Sequence, residues 1–270
     1  MQSRSADLRI ALWQWPNVLG LDAPIVAMLW QDLLARLFSL PLRPAGRAAL
    51  GLTVWAIYLA DRILDARRPS GPHPPVRHRF ALRHLVPMKF FLIVVLLSDL
   101  LVTLLWLRHS VLLNGLIPLA GVVTYLLVVH AAQASVAKEP VVAILFTIGT
   151  FLIAWTNAAP GADALLWPAF SFFALCLANL VAIEQWESQE LRSPQSPPHA
   201  LTQLLIKALP VWLALLASTC WLLGQSPWYR AVAIGAVGIA AILLAQRRLS
   251  LELRRTLIDL ALCAPILVPR

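Results

Sequence analysis

The stretch Tyr58-Leu59-Ala60-Asp61-Arg62-Ile63-Leu64-Asp65 closes a long apolar run with two aspartates four residues apart. A helix turns about 100° per residue, so Tyr58, Asp61 and Asp65 share one stripe and the two carboxylates stack one turn apart. Carboxylates so placed can hold Mg²⁺, a hard ion that takes oxygen ligands and often shares its shell with substrate phosphates. At the edge of an apolar segment such a pair requires solvent, a counterion or a ligand.

The chain around it has 270 residues, 60% hydrophobic and 13% charged, with a mean hydropathy of +0.75. Soluble domains carry about 25% charged residues, so this composition is that of an integral membrane protein. The net charge of +9 is not gathered on a soluble face that could form a nucleic-acid groove, and nucleic acid is not an expected partner. Cys176, Cys220 and Cys263 lie in apolar runs without a CxxC pair, and the histidines form no HExxH, so neither a disulfide framework nor a zinc site is indicated. The opening segment, Met1 to Arg9, is short and polar and leads into a run interrupted by Asp22, which does not read as a cleaved signal peptide.

A membrane span needs about 20 mostly apolar residues. Runs of that kind lie near 14–38, 46–64, 85–107, 110–131, 140–158, 163–184, 201–223, 228–246 and, shortest, 256–269. The expectation is an all-α polytopic membrane protein of about nine transmembrane helices, forming one membrane domain over residues 1–270. The connector from Asp65 to His84 is rich in proline and arginine and cannot span. With the N-terminus cytoplasmic, most Lys and Arg residues fall on the cytoplasmic side, as the positive-inside rule requires. That orientation, in the cytoplasmic membrane, explains the basic charge as topology.

Acidic residues are few, and Glu184, Glu187 and Glu190 end the sixth run much as Asp61 and Asp65 end the second. In this topology both clusters reach the same face. On the sixth helix Asn179, Glu190, Glu187 and Glu184 fall at about 0°, 20°, 80° and 140°, one broad polar face. The plain alternative is a solvated helix end, with Asp61 and Asp65 paired to Arg62 and Arg68 in exposed ion pairs of little worth. Against it, carboxylates at a helix C-terminus meet the negative end of the dipole. Among the other intramembrane acids, i,i+4 spacing pairs Asp32 with Arg36 and Asp259 with Arg255. Asp22 and Asp99 have no such local partner. Trp106, Trp167, Trp186 and Trp228 sit near run ends, where an aromatic belt is expected.

Two acidic motifs closing the second and sixth of nine spans resemble the UbiA superfamily of intramembrane prenyltransferases. That family's first motif reads Asn-Asp-x-x-Asp-x-x-x-Asp; Asp61 and Asp65 match its last two acidic positions, with Ile57 and Tyr58 where the leading pair would stand. Arg68-Pro69-Ser70-Gly71 is similar to the Arg-Pro turn that follows the motif, and Lys138, in Lys138-Glu139-Pro140, resembles the basic residue facing the diphosphate. In place of the family's second Asp-x-x-x-Asp motif the chain has Asn179 followed by Glu184, Glu187 and Glu190. The segment Leu257 to Pro265 looks like the family's closing helix.

The resemblance implies helices arranged around a central cavity and Mg²⁺-dependent transfer of a prenyl group from an isoprenoid diphosphate to an acceptor within the lipid bilayer. Asp61 and Asp65 would hold one metal, and Glu184 and Glu187 the other. Lys138, Arg62 and Arg68 would neutralise the diphosphate, with Tyr58 and Asn179 contacting substrate. Two other readings share these residues. A CDP-alcohol phosphotransferase also uses membrane-embedded aspartates, but no glycine follows Asp65 as its motif needs. A non-catalytic protein of the same fold, binding an isoprenoid or lipid, would tolerate the missing motif positions.

Overall fold

The structure, a computed structural model, describes residues 10–65, 76–130, 137–157, 163–190 and 198–269. Among them are eleven α-helices, three short 3₁₀ turns and no strand. After a 3₁₀ turn, α1 (Trp15–Leu19) ends at Gly20, whose φ of 68° only glycine adopts without strain. The chain bends there by 80° into α2 (Asp22–Leu37). The long α3 (Pro44–Asp65) returns beside α2, and the short α4 (Val76–Arg83) leads to α5 (Leu85–Trp106) and α6 (His109–His130). Four more long helices follow, α7 (Lys138–Asn157), α8 (Asp163–Glu190), α9 (Ala200–Leu222) and α10 (Pro227–Ala245), and α11 (Leu251–Ala261) ends the set.

Six helices, α5 to α10, are long and apolar enough to cross a membrane, and a seventh span exists if the bent pair Leu12–Leu19 and Asp22–Leu37 counts as one. Nine spans are therefore not reached. The first expected run is broken by the elbow at Gly20, because the left-handed turn redirects the chain. The second is a helix of 22 residues, but Arg47 and the Asp61, Arg62 and Asp65 end keep it outside the span-like set. The ninth fails on length: α11 has 11 residues, about 16 Å at 1.5 Å per residue, against a hydrocarbon core of about 30 Å.

At the centre stands α8, with 67% of its most apolar window buried. In lipid the hydrophobic effect does not drive helices together, and close packing of small residues does. Accordingly α8 and α10 pack together, with Ala178 and Ala182 of one and Ala231 and Ala236 of the other buried in the same core and Gly235 lying against Leu175. Trp30, Phe151, Phe172 and Trp228 interlock beside them, with Trp30 and Phe172 centroids 4.8 Å apart and Trp30 and Trp228 4.9 Å apart. Polar atoms in this core are matched: Trp30 Nε1 donates to the Leu262 carbonyl at 2.7 Å and Trp228 Nε1 to Ser171 Oγ at 3.0 Å.

The expected aromatic belt divides. Trp106 and Trp167 are exposed, but Trp186 and Trp228 are buried in the core, because Gln246 and Ser171 satisfy their indole N–H groups there. Both expected i,i+4 ion pairs also give way to tertiary partners. Asp32 takes Arg47 of α3 at 2.7 Å, and Asp259 accepts from Asn17 and Asn179 while Arg255 turns to Glu187 and Glu252.

A side chain at Gly235 has no room: its Cβ would meet Leu175 Cδ2 at 3.0 Å and the Ala261 carbonyl at 3.3 Å. Gly235→Val is expected to cost about 1–3 kcal/mol by overpacking. Thermal unfolding in detergent should show a lowered midpoint; an unchanged midpoint would mean that α8, α10 and α11 are not so tightly joined.

Candidate functional site

The charged ends of six helices surround a polar chamber of about 210 Å³. Each helix reaches it with a stripe set by its own period. From α8 come Cys176, Asn179, Leu180, Ile183, Glu184 and Glu187, spaced by three and four residues along one face. The last turns of α3 give Ile57, Tyr58, Asp61 and Arg62, and the first turns of α7 give Lys138, Glu139, Val142 and Ala143. Asn17, Asp22, Arg77, Arg255 and Asp259 complete the polar wall. Because α2 and α7 both begin here, the positive ends of their dipoles fall on this region.

The acidic clusters at the ends of α3 and α8 thus do meet, through Asp61, Glu184 and Glu187. Lys138, Tyr58, Arg62 and Asn179 lie on the same wall. Asp65, one turn further along α3, is not part of it, and Glu190 pairs with Arg254 instead. Arg68 lies outside the described residues.

Glu187 is held by two guanidiniums. Its Oε1 accepts from Arg77 Nη2 at 2.7 Å and also from Arg255 Nη2, linking α8 to α4 and α11. Arg255 is fully buried, yet its Nε and Nη1 have no hydrogen-bond partner; Glu252 Oε1 is 3.5 Å from Nη1. Burial works against the charge on Arg77, but Glu187, Glu252, Asp61 and Asp65 outweigh it and hold its pKa above the ordinary value. Arg255 goes the other way, lowered by burial and by Arg77. His78, half-buried beside Arg77, is pushed down to about 4 by burial and then by that arginine, so it stays neutral near pH 7.

Two further carboxylates share the chamber. Asn17 Nδ2 donates to Asp22 at 2.8 Å and to Asp259 at 3.2 Å, and Asn179 Nδ2 reaches Asp259 at 3.4 Å. Lys138 Nζ is 4.0 Å from Glu184. Glu139 is tied to Thr202 of α9 at 2.8 Å, a structural tether for the start of α7. Sequence reasoning missed Arg77, Arg255 and the Asp22–Asp259 pair. Arg77 is one of several basic residues in a connector, and the i−4 spacing had already supplied Asp259 as a partner for Arg255.

Of the carboxylates expected to hold two metals in pairs, Asp61, Glu184 and Glu187 line the chamber and Asp65 does not. Among the described residues no three His, Cys, Asp or Glu side chains gather into a cation-binding group, and Glu187 is bridged by two guanidiniums. What the wall does offer is Asp61 and Glu184 with the cations Arg62, Arg77, Lys138 and Arg255. Mg²⁺ is commonly held by one or two carboxylates plus substrate phosphates, which this donor set fits.

A second, larger chamber of about 460 Å³ adjoins the first, sharing Ile57, Tyr58, Tyr125, Val142 and Phe146 with it. Its walls are apolar faces of α3, α5, α6 and α7. The same α3 stripe runs through both, from Gly46 and Ala49 through Leu50, Thr53 and Val54 to Tyr58 and then Asp61. The polar chamber therefore continues into an apolar one, with Tyr58 at the junction. No family model, characterised protein or solved structure matches the chain.

The elbow that closes the polar chamber is pinned from α3. Arg62 Nη1 donates to the Val18 carbonyl at 3.2 Å and Trp55 Nε1 to the Leu19 carbonyl at 3.0 Å. A Cβ at Gly20 would stand 3.3 Å from Arg62 Nε, at a φ that costs a non-glycine residue about 1–2 kcal/mol. Gly20→Ala should lower the unfolding midpoint in detergent and increase proteolysis near residues 15–21; wild-type resistance would show that the elbow is not held this way.

Proposed function

We propose that the protein is a membrane-embedded prenyltransferase of the UbiA type, binding an isoprenoid diphosphate and transferring its prenyl group to an acceptor. The observation that carries this reading is the polar chamber, lined by four cations, that adjoins an apolar one. An amphiphile with an anionic head and a long apolar tail has this shape and charge. In the cytoplasmic membrane, with the N-terminus cytoplasmic, the polar chamber lies toward the cytoplasm, where the positive-inside rule places the basic residues.

Arg77, Arg255, Arg62 and Lys138 bind and orient the diphosphate; guanidinium forks suit phosphate oxygens, and Arg255 has two donor nitrogens without a hydrogen-bond partner. Asp61 and Glu184 would hold Mg²⁺ together with the phosphate oxygens, and the ion supplies neutralisation of the departing diphosphate. Tyr58, at the junction, places the allylic carbon between head and tail. The Asp22–Asp259 pair, steadied by Asn17 and Asn179, is positioned to take the proton an acceptor loses on alkylation. Glu187 sets the two guanidiniums in place rather than holding metal.

Membranes containing the protein should release diphosphate from geranyl or farnesyl diphosphate in the presence of acceptor and Mg²⁺, and the release should stop with EDTA. Asp61→Asn is expected to lower it about a hundredfold, the scale of losing one electrostatic group at a reacting centre. Asp65→Asn should lose much less, because Asp65 is off the wall. Failure of every donor to bind would overturn the reading.

One observation favours a second reading, a non-catalytic carrier of the same ligand class: Ile57 and Tyr58 stand where the resembled motif has its leading Asn-Asp pair. Glu187→Gln separates the roles of that residue. If Glu187 only holds the two arginines, the variant binds a diphosphate analogue more weakly with and without Mg²⁺ alike; if it holds metal, only the Mg²⁺-dependent part of the binding falls.

A further inference from the structure

The helices that wall the apolar chamber also measure its depth. On α3 the wall runs from Tyr58, at the junction, back to Gly46, a separation of twelve residues or about 18 Å at 1.5 Å per residue. On α7 it runs from Val142 to Ile153, eleven residues or about 16 Å. The two helices close on each other at the far end: a Cβ at Gly46 would stand 2.6 Å from Ile153 Cδ1, which leaves no gap for a chain between them. An extended isoprenoid advances about 5 Å per five-carbon unit, four carbon–carbon bonds of about 1.5 Å in zigzag. Three units therefore lie within the chamber, and a fourth reaches its floor.

Part of the way down, one wall position carries no side chain. Gly149 of α7 is half-buried and lines the chamber between Phe146 and Leu152, and a Cβ on it would meet Leu50 Cδ1 of α3 at 4.0 Å, an ordinary contact. Leu50 precedes Tyr58 by eight residues, so Gly149 lies about 12 Å beyond the junction, level with the third isoprene unit. A longer side chain at this position would occupy the path of that unit. Apolar walls attract a chain no more than lipid does, so discrimination between lengths comes from what fits. We propose that the apolar chamber limits the ligand's chain to three or four isoprene units, with Gly149 admitting the third and the contact of Gly46 with Ile153 forming the floor. The point from which the chain is measured, its allylic carbon at Tyr58, rests on the function proposed above; the depth and the floor do not.

The test measures the affinity of the purified protein for geranyl, farnesyl, geranylgeranyl and geranylfarnesyl diphosphate by native mass spectrometry. Each is taken as a ratio of variant to wild type, in which partition into the detergent micelle cancels. Gly149→Leu should weaken farnesyl and geranylgeranyl diphosphate about tenfold, the scale of forcing extra methylenes into a filled space, and leave geranyl diphosphate unchanged. Ile153→Ala, which opens the floor, should strengthen geranylfarnesyl diphosphate about fivefold by relieving the same kind of crowding, and leave farnesyl diphosphate unchanged. Folded variants that alter all four lengths equally, or none, would overturn the length limit while the diphosphate site stood. Should Gly149→Leu fail to fold, Ile153→Ala decides alone, and an unmoved upper limit overturns the proposal. If the wild type binds none of the four diphosphates, the function proposed above fails, and geraniol, farnesol and geranylgeraniol decide the chamber. Loss of only the two longer alcohols in Gly149→Leu sustains the length limit; uniform or absent loss overturns it.

Discussion

The charged end of the molecule depends on one carboxylate shared by two guanidiniums. Neither α4, with 8 residues, nor α11, with 11, is long enough to be fixed by crossing the membrane. Glu187 joins both to α8, the most buried of the span-like helices, through Arg77 and Arg255. Buried charges of this kind add little to stability relative to apolar packing, but removing one partner leaves the others uncompensated. The bridge therefore fixes where the short helices dock.

That docking explains why so many ionisable groups can face one small chamber. Its carboxylates are met by donors, Asp22 and Asp259 by asparagine amides and Glu184 by Lys138 at 4.0 Å. The apolar chamber works by a different principle. A chain arriving from lipid exchanges one hydrocarbon environment for another, so burying its methylenes gives almost none of the gain it would have from water. For a ligand of the proposed kind, affinity would come mainly from the polar chamber, and the apolar walls would act by shape.

Much of the architecture was legible in the sequence, because span-length apolar runs are a strong signal. The runs near 85–107, 110–131, 140–158, 163–184, 201–223 and 228–246 correspond to α5 through α10. The terminal runs misled because hydropathy does not register a left-handed elbow at Gly20 or a stop after Ala261. At the site, helical period correctly grouped Asn179, Glu184 and Glu187 on one face. Their partners were hidden, since Arg77 and Arg255 are brought in by tertiary contacts across 110 and 68 residues of chain. Local i,i+4 rules supplied plausible but incorrect alternatives for Asp32 and Asp259.

Two consecutive helices, α5 and α6, face outward over most of their length, and each packs chiefly on a different neighbour, α3 for one and α7 for the other. The apolar chamber lies along their inner sides. A lipid-soluble chain approaching on this side of the molecule would meet this outward-facing pair. For an isoprenoid ligand the supply would then be governed by mole fraction within the leaflet and by two-dimensional diffusion rather than by solubility in water, so occupancy would track lipid composition more closely than aqueous concentration.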